Sequence, residues 1–147
     1  AFALSTDPKY LILDEPTANF DPDFKQEFLN VIMQFMESGK KSVIIASHIL
    51  DELDRIADYL IYLDKGELVY SGDIESFRDK YRIISGESYK VKLLKQEDII
   101  HAEDRKYGTK ALVVNHGYSK YDGALTVTVP TLEEFMYHYS KRGESVI

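Results

Sequence analysis

The chain contains no cysteine. That excludes disulfides, thiolate metal sites and cysteine nucleophiles, and it fits a reducing compartment. Long apolar runs are missing too. Its apolar stretches, such as Tyr10–Leu13, Val43–Ala46 and Tyr59–Leu63, fall far short of the roughly 18 residues that a membrane-spanning helix needs. The first ten residues, AFALSTDPKY, carry neither a basic stretch nor a long apolar one, so they do not read as a secretory signal. Positive charge is scarce. The 18 Lys and Arg stand against 25 Asp and Glu, a net of −7, which argues against a broad nucleic-acid-binding surface. There is no internal repeat and no low-complexity tract.

The residues present describe a globular chain. Of 147 residues, 44% are hydrophobic and 29% charged, enough for an ordinary buried core. The charge divides unevenly. Residues 1–81 hold 8 basic and 16 acidic side chains, a net of −8, and residues 82–147 hold 10 and 9, a net of +1. The texture changes at the same place, from apolar runs separated by helical patterns to alternating strands with Gly-containing turns. The stretch YRIISGES (81–88) therefore reads as a junction between two sub-structures.

In the first part, KYLILD (Lys9–Asp14) and SVIIA (Ser42–Ala46) read as short strands buried on both faces of a parallel sheet. Between them Asp21-Pro22 opens a helix, with Asp as cap and Pro at the first position. Phe24, Phe28, Val31, Ile32, Phe35 and Met36 follow at helical spacing, and Ser38-Gly39 stops it. Strand, crossover helix and strand make a right-handed βαβ unit. A helix over 49–57, a hairpin turning at Asp64-Lys65-Gly66 and a short helix over 73–81 complete the part. In the second part SYKVKLL (Ser88–Leu94), KALVVN (Lys110–Asn115) and LTVTV (Leu125–Val129) read as strands. Gln96–Arg105 reads as a short helix or an excursion. TLEEFMYHYSKR reads as a helix capped by Thr131, with acids in its first turn.

The informative stretch is LILDEPTANFDP (Leu11–Pro22), followed by IIASH (Ile44–His48). An apolar strand that ends in two adjacent acids delivers them to the C-terminal edge of the sheet, where open α/β folds bind ligands. Side chains alternate along a strand, so Asp14 and Glu15 cannot do the same job. The second strand ends in Ser47 and His48, which brings an imidazole to the same edge.

These residues resemble the second half of the nucleotide-binding domain of an ATP-binding cassette (ABC) transporter. Tyr10–Asp14 match its Walker B strand, Glu15 its catalytic glutamate, and Pro16-Thr17 complete the DEPT signature. Ala18, Asn19, Phe20 and Asp21 match the D-loop, and His48 matches the switch histidine. The resemblance continues through DRIADYLIYLDKGELVYSGDIESF to about residue 81. It implies an α/β fold: the C-terminal part of a P-loop NTPase parallel-sheet core over 1–81, followed by a small α+β appendage over 82–147, regulatory or partner-docking. It implies ATP and Mg²⁺ as cofactors. Asp14 would hold Mg²⁺ through water, Glu15 would act as general base, and His48 would meet the γ-phosphate. It also implies two partners, a second nucleotide-binding domain met through the D-loop and a membrane-spanning subunit, and a place on the cytoplasmic face of the membrane. No nucleic-acid partner is expected. VPTLEEFMYHY resembles the C-terminal extension of antibiotic-resistance and ABC-2-type exporters, which implies export.

Two departures stand out. Phe20 occupies a D-loop position where Leu is commoner, and this alters the subunit contact while leaving Asp21 in place. More seriously, no G-x-x-x-x-G-K-[ST] occurs, and neither does the LSGGQ signature. The chain thus reads as a C-terminal fragment, inactive by itself, of an ATP-hydrolysing subunit. Other readings stay open: a non-catalytic regulatory or partner-binding module, or an ABC-type ATPase of translation or DNA repair. Asp21 has a structural role as N-cap beside its D-loop role. His101, His116 and His138 lack ligand spacing and read as surface residues. Tyr118, Tyr121, Tyr137 and Tyr139 lack the basic groove of a base-stacking platform.

Overall fold

The computed structural model describes residues 6–37, 39–118 and 125–144, apart from the side chain of Glu52. Phe2, Leu4, Ser38 and Tyr121 lie outside them. The fold is mixed α/β, in two compact units, Ala1–Ile56 and Ala57–Ile147.

In the first unit β1 (Tyr10–Asp14) pairs in parallel with β2 (Ser42–Ala46), from Tyr10 opposite Ser42 to Asp14 opposite Ala46. The crossover is α1 (Pro22–Met36). Asp21 caps it as expected: its backbone is extended and Oδ1 accepts the Phe24 N–H at 2.9 Å. Gly39, at φ 64°, donates its N–H to Met36 and ends the helix. Leu29 and Ile32 are the buried residues of α1, and α2 (Leu50–Ile56) packs against it. The strands differ from expectation on one point. Leu11 is buried, yet Tyr10, Ile12 and Ile44 are 73%, 75% and 61% exposed. Within this unit the helices cover one face of a two-stranded sheet, so the alternate residues face outward.

The second unit opens with a hairpin of β3 (Tyr59–Asp64) and β4 (Glu67–Asp73). Lys65 and Gly66 make its two-residue turn with φ of 50° and 81°, the left-handed pair that such a turn requires. Asp73 then caps α3 (Ile74–Lys80), accepting the Ser76 N–H at 2.7 Å. A four-stranded antiparallel sheet follows in the order β6-β7-β5-β8, with β5 Tyr81–Gly86, β6 Ile99–Arg105, β7 Gly108–Val114 and β8 Leu125–Thr128. Between β5 and β6 lie α4 (Ser88–Val91) and a 3₁₀ turn (Gln96–Asp98). The last helix, α5 (Leu132–Ser140), carries a full capping box. Thr131 Oγ1 accepts the Glu134 N–H and Glu134 accepts the Thr131 N–H.

Three expectations for this part fail, for identifiable reasons. Residues 81–88 are no junction: β5 is an interior strand whose Ile83 and Ile84 are buried. Ser88–Leu94 is no strand. Val91 and Leu94 are buried while Leu93 is 81% exposed, a helical interval of three in place of alternation. Gln96–Arg105 is mostly strand β6. The division into compact units also falls before the hairpin, not at 81. Aromatic packing crosses position 81: Phe135 lies 4.6 Å from Tyr81, 4.9 Å from Phe77 and 5.6 Å from Tyr62 between ring centroids. Gly108 marks another tight point. A Cβ there would stand 2.2 Å from the Gly86 carbonyl oxygen, so only glycine allows β7 to start so close to the end of β5.

Phe135 is 1% exposed and touches four other rings. Phe135→Ala is expected to destabilise the second unit by about 3–5 kcal/mol. Chemical denaturation followed by tyrosine fluorescence measures it, and a loss below about 1 kcal/mol would mean that this ring does not anchor the core.

Candidate functional site

β1 and β2 run in the same direction and end level, with Asp14 opposite Ala46. The chain then departs from strand geometry in one step. Glu15 has φ 44°, uncommon for a residue with a side chain, and its N–H still donates to the Ala46 carbonyl at 2.8 Å. That bond holds Glu15 to the second strand while its carboxylate turns toward the residues that follow β2. His48 Nδ1 lies 2.8 Å from Glu15 Oε1. The His48 backbone N–H donates to the same oxygen at 3.1 Å, and Ser47 Oγ donates to Oε2 at 3.4 Å. Ser47 Oγ also accepts the Ile49 N–H at 3.0 Å, which fixes the turn into α2.

The structure therefore brings Glu15 and His48 into contact and adds Ser47 to them. Asp14 is exposed at the strand end. The loop beyond is built by turns: Ala18 N–H to Glu15 O at 3.4 Å and Phe20 N–H to Thr17 O at 3.1 Å, with Thr17 buried. Ala18 and Asn19 are exposed. Phe20 packs edge-on to Phe24 at 4.6 Å and Phe28 at 5.8 Å between centroids. Its ring is thus engaged by its own crossover helix.

Electrostatically, the His48 hydrogen bond is the main reason that the Glu15 carboxyl is held below the ordinary carboxylate range. Desolvation opposes it, and the imidazole charge and the N–H and hydroxyl donors add to it. A carboxylate held this way is a weaker base than a free one. Among the described residues no three His, Asp or Glu side chains converge to coordinate a metal directly. A single exposed carboxylate at Asp14 fits a hard cation that keeps its water shell, with phosphate oxygens supplying the rest. Among the described residues the donor set is acidic and would suit a hydrated cation.

Two of the other three histidines depart from expectation. His101 and His138 are 3% and 1% exposed, with their Nδ1 atoms 2.8 Å apart, so they are core residues. The signal was in the spacing: Leu132, Phe135 and His138 recur every three residues along the buried face of α5. His116 is exposed, and its Nδ1 meets the buried carboxylate of Asp98 at 2.7 Å. Asp98 also accepts the hydroxyl of Tyr118, a buried ring.

No family model matches the chain. Curated relatives do. A putative ABC transporter ATP-binding protein of Mycoplasma pneumoniae is 44% identical over 70 residues, 48% of this chain and 22% of the relative. The energy-coupling factor transporter ATP-binding protein EcfA2 of Caldanaerobacter subterraneus is 42% identical over 81 residues, 54% of this chain and 28% of the relative. EcfA2 of Streptococcus pyogenes is 36% identical over 69 residues, 47% of this chain and 24% of the relative. The chain spans about a quarter of the length of these relatives. Over about half of its own length it is homologous to ATP-binding proteins of ABC transporters. Among solved structures, UvrA2 from Deinococcus radiodurans matches at 20% identity and a TM-score of 0.41, covering 57% of this chain and 14% of that one.

His48→Ala removes the side-chain partner that lowers Glu15. The Glu15 carboxyl is then expected to titrate at higher pH than in the unsubstituted chain. Carbon-13 NMR of the side-chain carboxyl measures the shift, and an unmoved titration would mean that the imidazole contact does not form in solution.

Proposed function

We propose that the first unit, Ala1–Ile56, is part of the catalytic core of an ATP-hydrolysing subunit that drives an ABC transporter. The observation that carries this reading is the Glu15–His48 contact at the ends of two parallel strands. The homology to ABC transporter ATP-binding proteins supports it. ATP·Mg²⁺, when bound, supplies the phosphoryl group that water attacks and the charge that stabilises its oxygens. Asp14 anchors the ion's water shell. Glu15 accepts the proton of the attacking water, and the hydrogen bond from His48 aims its carboxylate. His48 would be the residue to meet a γ-phosphate, and without its donor Glu15 would be more basic. Ala18, Asn19 and Asp21 lie on the loop that would face a second nucleotide-binding domain. Phe20, held by Phe24 and Phe28, stiffens that loop.

The second unit, Ala57–Ile147, docks a partner or regulates the ATPase in this reading, and the transporter works in export from the cytoplasmic face of the membrane. A membrane-spanning subunit is the partner in this reading, and no described helix here is long and apolar enough to cross a bilayer. The acidic net charge supports the absence of nucleic acid among the partners.

Two measurements test the assignment. The 147-residue chain is expected to bind ATP·Mg²⁺ no more tightly than about 1 mM, roughly −4 kcal/mol, by calorimetry, because its sequence holds no phosphate loop. Micromolar binding would show that a cradle exists elsewhere in these residues. In the complete ATPase, Glu15→Gln is expected to keep nucleotide affinity and cut turnover by about 10²–10⁴. Turnover within a few-fold of the unsubstituted enzyme would remove Glu15 from the role of base.

A further inference from the structure

The second unit holds a titratable pair that the nucleotide chemistry leaves unused. His101, on β6, and His138, on α5, are both buried, and their Nδ1 atoms lie 2.8 Å apart. The rings are tilted at 53° with centroids 5.0 Å apart. Two imidazole nitrogens at this distance share one proton: one ring donates from Nδ1 and the other accepts there, so the rings are opposite tautomers. One added proton puts a charge in the core. A second sets two N–H donors head to head, and the contact must open.

We propose that this pair is a proton-operated latch, which ties α5 to the sheet when both rings are neutral and loosens it when they take up protons. The surroundings support the direction. From β6, Glu103 and Arg105 act on the pair, and from β7, Lys110. From α5 and the residues after it come Glu134, Tyr137, Lys141 and Glu144. The two nearer carboxylates are already engaged. Glu103 bonds Arg105 and the Tyr137 hydroxyl, and Glu134 bonds Lys110 and the Thr131 N–H. Glu103 favours a charge on both rings and Glu144 on His101, while Lys110, Arg105 and Lys141 repel it, and burial outweighs them all. Burial, more than any charge, pushes His138 down to about 4, with His101 next in effect, and burial lowers His101 as well. Once α5 is released, both rings return toward the ordinary value near 6.5. The docked state thus binds fewer protons than the released one. Its advantage is complete above the ordinary histidine value and drains away as pH falls from about 6.5 toward 4.

Amide hydrogen exchange on the whole chain reads this directly. Corrected for the intrinsic rate, the amides of Leu132–Ser140 are expected to lose roughly ten-fold of their protection between pH 7.5 and pH 5.0. In the double variant His101→Gln, His138→Gln, side chains that still form hydrogen bonds no longer titrate, and the change should stay within about two-fold. Equal protection at both pH values in the unsubstituted chain, or an equal loss in the double variant, overturns the proposal. Should the double variant fail to fold, nitrogen-15 spectra of the imidazoles in the unsubstituted chain decide. His138 is expected to be neutral at pH 5.5, and a ring mostly charged at that pH overturns the latch.

Discussion

The acidic edge depends on one backbone constraint, the parallel register that sets Asp14 opposite Ala46 and carries on as the bond from the Glu15 N–H to the Ala46 carbonyl. Slip that register by one residue and every side chain on β1 changes face. With the register in place, the left-handed conformation at Glu15 has a use: it ends the strand and aims a carboxylate across to the partner strand's exit. Backbone strain of this kind costs on the order of 1–3 kcal/mol and persists only where neighbours enforce it. Here the Ala46 carbonyl, the His48 N–H and ring, and the Ser47 hydroxyl do so. The crossover helix is the other support, since the cap at Asp21 fixes where α1 begins and hence how the loop of Thr17–Phe20 is drawn against it.

The second unit is held by different means. Its core is a knot of rings in which Phe135 of α5 meets Tyr62 of the hairpin, Phe77 of α3 and Tyr81 of β5. These residues come from four elements spread along the chain, so the hairpin, which sequence texture groups with the first strands and crossover helix, packs here with the later strands. Polar side chains enter this interior with partners: His101 with His138, and Asp98 with the Tyr118 hydroxyl and the exposed His116. No buried side-chain nitrogen or oxygen lacks a partner among the described residues. That is the condition under which polar groups can stay in a core without a large desolvation cost.

The two histidine contacts show how environment sets chemistry. His48 is largely exposed and its ring sits on a carboxylate, so it favours charge on Glu15. His101 and His138 face each other away from water, and both are made hard to charge. One residue type thus serves as a partner for an anion in one unit and as a neutral hydrogen-bonding pair in the other.

The sequence by itself determined the elements with strong local signals. The strands YLIL and VIIA, the Asp21-Pro22 helix start, the Asp64-Lys65-Gly66 turn and the Thr131 cap were all legible, because each depends on residues within a turn or two of one another. It also placed Glu15 and His48 at one edge, since two strands joined by a right-handed crossover must end side by side. Tertiary structure alone decided the rest. Alternation in Ser88–Leu94 suggested a strand, yet Val91 and Leu94 found their burial one helical turn apart. Residues 81–88 looked like a boundary, yet β5 is an interior strand because β7 and β8 pair on either side of it. His101 and His138 looked like isolated surface residues, since nothing local reveals that positions 37 residues apart will share a proton. Burial and partnership of this kind depend on contacts between distant segments, which only the folded chain brings together.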